Sequence, residues 1–262
     1  MSNKGSLVNV GLGMTLGSHI SPLSRNFIEN ADVVFVAASN KLVEEWVEGM
    51  NTDVRTLQQY YNEGTSRMIT YRNMVEAIMT EVRAGKNVVG AFYGHPGVFA
   101  WAPHETIRQC HKEGFKAHME AGISAEDCLY ADLGIDPGTR GCIHYEASQF
   151  MFKKKMLDPT AYLVLWQVGI AGDKTLAKFS IESEYKQVLV DMLTRVYPED
   201  HVIILYECAV LPIEQARTEQ IALKDLANVD ISLKTTVVIP PSQEPEENTE
   251  ILMEIAALSK KK

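Results

Sequence analysis

The chain has 262 residues, 46% of them hydrophobic, and Lys+Arg 25 against Asp+Glu 34 leaves a formal net charge of −9. A chain of this length buries a core that needs no disulfide staples, and its acidic balance argues against a nucleic-acid backbone as partner. Cys110, Cys128, Cys142 and Cys208 form no Cys-x-x-Cys pair and have no neighbouring histidine at ligand spacing, so they read as reduced thiols of a cytoplasmic protein with no metal.

The first residues lack the charged-then-apolar layout of a secretory signal, and no apolar run reaches the length that spans a bilayer. Neither export nor membrane insertion is expected. Strand-like apolar runs at residues 7–12 and 33–37 alternate with helical patterns at 23–30 and 42–48, the signature of an α/β fold. A helix over 67–84 follows, ended by Gly85, then a strand at 88–93, a helix at 99–112 and a short strand at 115–119. Ser124 is placed to cap a short helix leading to Gly134. The composition shift from Lys153-Lys154-Lys155 to Pro159 suggests a linker, which puts a domain boundary at about Asp158. Strands are expected at 162–168, 202–206 and 235–239, with helices between. The predicted organisation is an N-terminal α/β domain over 1–157, a C-terminal α/β domain over 158–241, and an acidic tail over 242–262. In that tail Ile251, Leu252, Ile255 and Leu258 line one side of a short helix, expected to dock on its own subunit or on a partner protomer.

Within residues 67–84, Met68, Tyr71, Val75, Ile78 and Val82 recur at spacings of three and four. Arg67 and Tyr71 therefore sit one turn apart. A guanidinium about 4 Å from a phenolate favours the anion by roughly 4 kcal/mol at an effective dielectric near 20, enough to let a phenol act as a base. A tyrosine in an apolar stripe also suits ordinary core packing.

Two glycine-rich turns follow strands. Gly11-Leu12-Gly13-Met14-Thr15-Leu16-Gly17 is not the dinucleotide fingerprint, and no acidic residue stands convincingly at the end of the second strand. Tyr93-Gly94-His95-Pro96-Gly97-Val98-Phe99 ends a strand and opens a helix, where open α/β sheets bind ligands. His95 could serve as a base, a ligand or a hydrogen-bonded turn residue. Neither turn is a P-loop. His104-Glu105 begins like a metalloprotease motif, but Arg108 stands where its second histidine belongs, and there is no Gly-x-Ser-x-Gly elbow.

These turns, with Ala121-Gly122-Ile123-Ser124-Ala125-Glu126-Asp127, Trp166-Gln167-Val168-Gly169, Leu205-Tyr206-Glu207-Cys208-Ala209 and Thr235-Thr236-Val237-Val238-Ile239-Pro240-Pro241, together resemble the tetrapyrrole methylase superfamily over residues 6 to 241. The resemblance implies two α/β domains with S-adenosylmethionine in the cleft between them, and a homodimer. The chain departs from the porphyrin and corrin enzymes: Gly13-Met14-Thr15-Leu16 replaces their Gly-Pro-Gly-Asp, and Gly94-His95-Pro96 replaces their Gly-Asp-Pro. The Tyr93 to Phe99 turn, with Tyr61, Arg67 and Tyr71 upstream, is instead similar to the borosin peptide backbone α-N-methyltransferases. That similarity implies Tyr71 as base, Arg67 as its electrostatic support, and Tyr61 or Tyr93 as donors to the developing oxyanion. It carries cofactor contacts onto Tyr93, His95, Val98, Ala125, Gln167, Ala209 and Thr236, with Ser124 and Cys208 as neighbours.

Fungal members carry their substrate as a C-terminal extension, and the acidic tail here is too short for one. The expected substrate is therefore a separate precursor peptide with a helical leader and an apolar C-terminal core. A small-molecule methyltransferase of the same fold and a non-catalytic peptide-binding module are the alternatives.

Overall fold

The computed structural model describes residues 5–62 and 64–259. The extreme N-terminus read for a signal layout, Glu63 of the aromatic segment, and residues 260–262 of the tail lie outside them.

Five strands form the first sheet: β1 (Ser6–Gly11), β2 (Val33–Ala37), β3 (Val54–Thr56), β4 (Asn87–Phe92) and β5 (Lys116–Met119), in the order β3-β2-β4-β1-β5. All its pairings are parallel. Val33-Val34-Phe35-Val36-Ala37 is buried along its whole length, as a parallel sheet covered on both faces requires. One face packs α3 (Arg67–Arg83) and α4 (Trp101–Glu113), the other α1 (Pro22–Glu29) and α2 (Lys41–Glu48). Ser21 caps α1 ahead of Pro22, and Asn40 caps α2 through its side chain.

The second sheet contains β6 (Cys142–Glu146), β7 (Tyr162–Trp166), β8 (Val202–Glu207), β9 (Arg217–Ala222) and β10 (Thr236–Ile239), in the order β6-β7-β10-β8-β9. Only its β6–β7 pairing is parallel. This corrects the expected boundary: the second sheet begins at Cys142, so a division at Asp158 cuts β6 away from the strand it pairs with. The lysine run Lys153-Lys154-Lys155 lies between α7 (Ala147–Phe152) and β7, inside this half. β6 is half-buried at a sheet edge and carries His144 and Glu146, so it shows no apolar run.

The two halves join through α5 (Ala125–Leu133). Its Cys128 and Leu129 pack with Val164, Trp166, Tyr206 and Val238 of the second sheet. Ser124 caps α5 in a reciprocal capping box with Asp127, and Gly134 ends it in the left-handed region. After α6 (Pro137–Arg140) the chain enters β6, and α8 (Ser183–Leu193) covers the second sheet. The tail helix exists as α9 (Thr249–Ser259), but its Ile251, Leu252, Ile255 and Leu258 are exposed. The expected docking on its own subunit is not seen among the described residues.

Candidate functional site

Parallel pairing brings the C-terminal ends of β1, β4 and β5 to one edge of the first sheet, and each leads into a glycine. A Cβ on Gly11 would lie 2.5 Å from the Gly94 carbonyl oxygen and 2.9 Å from Gly122 Cα, and one on Gly122 would lie 2.8 Å from that carbonyl. Three backbones thus approach more closely than any side chain permits. Gly94 N donates to Gly13 O at 2.8 Å, and Gly13 N donates to Gly94 O at 3.2 Å. The result is a floor of main chain with little side-chain cover.

The turn after β4 is held by its own histidine. His95 Nδ1 accepts from Gly97 N at 2.8 Å, so in the neutral ring the proton sits on Nε2. Of the three roles open to His95, the observed one is the turn. Phe99, with a φ of 49°, adopts the left-handed region. Its ring lies 5.5 Å from that of Trp166 at the end of β7. Trp166 Nε1 donates to His144 Nδ1 at 3.0 Å. His144 Nε2 then faces the Tyr130 hydroxyl at 2.9 Å, and Tyr130 donates to Glu126 at 3.0 Å. Burial pushes the His144 imidazole down, against the pull of Glu126, which suits a neutral ring in this chain.

Gln167 follows Trp166 in the left-handed region, and Val168 N donates to Thr235 O at 3.4 Å beside the buried Thr236. Thr15 Oγ1 donates to Ala209 O at 3.1 Å, tying the turn after β1 to the chain after β8. Cys208 and Ala209 line a cavity of about 640 Å³ with Thr15, His19, Ile123 and Cys128. Tyr93, His95, Val98, Ser124, Ala125, Gln167 and Thr236 are not part of that lining, so the expected cofactor contacts are spread beyond it. Ser124 is committed to its helix: its hydroxyl donates to Asp127 Oδ2 at 2.8 Å and accepts from Asp127 N at 3.4 Å. Its main-chain N also donates to Asp127 Oδ2, at 2.7 Å.

A second group of side chains flanks these turns. Tyr61 and Tyr71 meet edge to face with ring centroids 6.4 Å apart, and Tyr71 stacks on Trp101 at 6.5 Å. Tyr71 is half-buried at the rim of the core that holds Val75, Ile78 and Val82. Burial pushes the Tyr61 phenol far up, the nearby Tyr71 and Tyr93 push it the same way, and Arg67 opposes them. Tyr93 is also pushed up, by desolvation and then by Tyr71, although half of the residue stays open to solvent, which limits the effect. Both groups therefore keep their protons at neutral pH and suit hydrogen-bond donation.

Arg67 is the first residue of α3. Its backbone N donates to Leu176 O at 2.8 Å, and its Nη1 donates to Lys178 O at 3.4 Å. Nη2 lies 4.0 Å from Asp173 Oδ2. Arg67 is thus held by the segment after β7, which belongs to the other half of the chain. Sequence reasoning missed Trp101 and Asp173. An aromatic opening a helix was a weak signal for Trp101. Asp173-Lys174-Thr175 reads locally as a turn-forming sequence and says nothing of a partner a hundred or so residues earlier.

Among the described residues, no group of three or more His, Cys, Asp or Glu side chains could hold a metal ion, and no helix is long and apolar enough to cross a membrane.

Two α/β halves joined across glycine turns define the class of protein only loosely, but comparison with known families makes it definite. The model of the Tetrapyrrole (Corrin/Porphyrin) Methylases matches residues 6–221, and the chain belongs to that family. Within it, the chain is 38% identical over 261 residues to a methyltransferase/ribosomally synthesized cyclic peptide gymnopeptides precursor of Gymnopus fusipes, covering 97% of this chain and 62% of that protein. It is 40% identical over 244 residues to a methyltransferase/ribosomally synthesized type I borosin cyclic peptide precursor of Coprinopsis marcescibilis, covering 90% of this chain and 62% of that one. The chain thus spans less than two thirds of the length of these relatives. Among solved structures, a cobalt precorrin-4 methyltransferase of cobalamin biosynthesis superposes with a TM-score of 0.64 at 17% identity, covering 92% of this chain and 96% of its own. That likeness bears on the fold alone, and it agrees with the two-sheet α/β architecture expected from the sequence.

Proposed function

We propose that the protein transfers methyl groups from S-adenosylmethionine to backbone amide nitrogens of a peptide. The observation that carries this reading is the grouping of Tyr61, Tyr71, Trp101 and Arg67 beside the glycine floor, in a chain related over nearly its whole length to methyltransferases named for ribosomally synthesized cyclic peptides. The floor fits the cofactor, because backbone there is open to close approach by a ligand. Tyr93, His95, Val98, Ser124, Ala125, Gln167, Cys208, Ala209 and Thr236 are proposed to hold it. When bound, S-adenosylmethionine supplies an electrophilic methyl group on its sulfonium.

An amide nitrogen is a poor nucleophile because its lone pair is delocalised into the carbonyl. Tyr71, as the phenolate that the Arg67 cation favours, takes the amide proton as general base and becomes the neutral phenol. The negative charge left on the carbonyl oxygen is met by hydrogen bonds from the protonated Tyr61 and Tyr93, and Arg67 offsets the charge of the pair. Trp101, stacked on Tyr71, fixes the base and offers an apolar face to the peptide.

The proposal extends to a separate precursor chain, bound through a helical leader, and to a homodimeric enzyme. Incubating the protein with S-adenosylmethionine and a leader-bearing peptide should give mass steps of one methyl each, located to backbone nitrogen by fragmentation. Methylation of a side chain or of a tetrapyrrole, with none on the peptide backbone, would overturn the reading. Initial rates that rise with peptide concentration test the separate chain, and light scattering tests the dimer.

A further inference from the structure

We propose that Asp173 is a positioning residue for Arg67: a buried, fixed negative charge that holds the guanidinium beside the tyrosines without itself taking a hydrogen bond from it. Asp173 is 3% exposed. Its Oδ1 accepts from Thr175 N at 2.8 Å and Thr175 Oγ1 at 2.6 Å, and its Oδ2 accepts from Ala177 N at 3.0 Å and Lys178 N at 2.9 Å. Two donors on each oxygen use up the acceptor capacity of a carboxylate. The 4.0 Å approach of Arg67 Nη2 is accordingly an electrostatic contact and not a hydrogen bond.

That distinction has a chemical use. A bidentate carboxylate partner would occupy two of the guanidinium's donors. A carboxylate already satisfied by its own loop attracts the cation without consuming any. The anchoring is needed because Arg67 opens α3, where the positive end of the helix dipole repels a cation. Of the lysines near the loop, Lys178 pairs with Glu182 at 2.8 Å and Lys174 lies over the Phe152 ring at 5.7 Å.

The competing explanation is that Asp173 merely closes its own turn. The turn does account for the four hydrogen bonds, which an Asn amide or a Ser hydroxyl could not all accept. What the turn does not account for is that this buried carboxylate faces a cation from the other half of the chain.

The activity part of this proposal rests on the peptide-methylation reading. Asp173→Asn removes the charge together with one of the two accepting oxygens, Asp173→Ser keeps a short acceptor for the loop, and Thr175→Ala perturbs the loop with the charge intact. We expect each Asp173 variant to lower kcat by about tenfold or more, with the peptide KM within about twofold of wild type. Thr175→Ala should cost less than about threefold. In an Arg67→Ala background, Asp173→Asn should cost nothing further, because the two residues act as one unit. Losses that multiply, or a Thr175→Ala loss equal to that of Asp173→Asn, would overturn the proposal. A crystal structure of whichever Asp173 variant folds gives a reading that needs no substrate: the guanidinium should leave its place while α3 stays. An unmoved Arg67 would overturn the proposal even if wild-type protein methylates peptides. A wild-type protein inactive on peptides would instead sink the functional reading, and the position of Arg67 would still decide the role of Asp173.

Discussion

The glycine floor and the tyrosine cluster are neighbours built on opposite principles. The floor is main chain: Gly11, Gly94 and Gly122 touch through backbone atoms, and His95 and Ser124 spend their side chains on holding a turn and a helix. The cluster is side chain: phenols, an indole and a guanidinium project from α3, α4 and the segment before them, and the guanidinium is held by a loop from the other half. A surface of fixed backbone suits recognition of one invariant ligand, whereas half-exposed side chains suit chemistry on a variable one. Substitutions should therefore separate the two regions, with turnover lost at the cluster and binding or stability lost at the floor.

The largest separation is expected at the cluster. Arg67→Ala and Tyr71→Phe should each lower methyl transfer by at least about a hundredfold, the scale of removing a general base or its electrostatic support. Cofactor affinity, measured by calorimetry, should stay within about twofold. Near-normal turnover of Tyr71→Phe would return that residue to core packing and dissolve the contrast.

At the floor the order of effects should reverse. Gly11→Ala places a methyl 2.5 Å from the Gly94 carbonyl oxygen, and a backbone atom cannot swing aside as a side-chain tip can. We expect a destabilisation of about 1 to 3 kcal/mol, as for overpacking elsewhere, read from denaturant midpoints. Cofactor binding should weaken with it. A stable Gly11→Ala protein with full affinity would show that the close approach of these strands can relax.

How well each region could be read from sequence follows the same division. Glycines report backbone geometry directly, so the turns after β1, β4 and β5 were legible, as were the Ser124 cap and the Gly134 stop of α5. Local spacing and family resemblance singled out Tyr61, Arg67, Tyr71 and Tyr93, and the structure brings these side chains together. Asp173 was not legible, because its partner is set by how two halves fold together. The strands missed were those with little apolar patterning: short Val54–Thr56, half-buried Cys142–Glu146, and polar Arg217–Ala222 at a sheet edge. Missing β6 is also what misplaced the boundary at Asp158.

The loop that anchors Arg67 gives the contrast a pH dependence. Burial pushes the Asp173 carboxyl up, but the Thr175 hydroxyl and the N–H groups of Lys178, Thr175 and Ala177 outweigh it and hold it at about 2, below the ordinary aspartate value. A depressed native value means that the unfolded chain binds the proton more tightly. The stabilisation is present above the unfolded value and is lost as pH falls through about 2. A gap of this size is worth up to about 2 kcal/mol. Wild type and Asp173→Asn should therefore differ most in stability above about pH 4 and converge as pH drops toward 2, compared in urea at each pH. A difference independent of pH would mean that the carboxylate's charge contributes nothing to stability.

The smallest effect tests whether the floor's side chains are structural. Ser124 lies at the N-terminus of α5, in the set expected to contact the cofactor, but its hydroxyl is bonded to Asp127 in both directions. If capping is its whole task, Ser124→Ala should cost about 1 kcal/mol of stability, the usual value of an N-cap. Cofactor affinity should fall by less than about twofold, because the hydroxyl is already engaged by Asp127. Ser124→Asp preserves a capping oxygen and separates the two roles further: it should recover much of the lost stability, less some repulsion from Asp127. Should Ser124→Ala instead lose cofactor affinity tenfold at unchanged stability, the hydroxyl would belong to the ligand, and the division between backbone recognition and side-chain chemistry would have to be redrawn at α5.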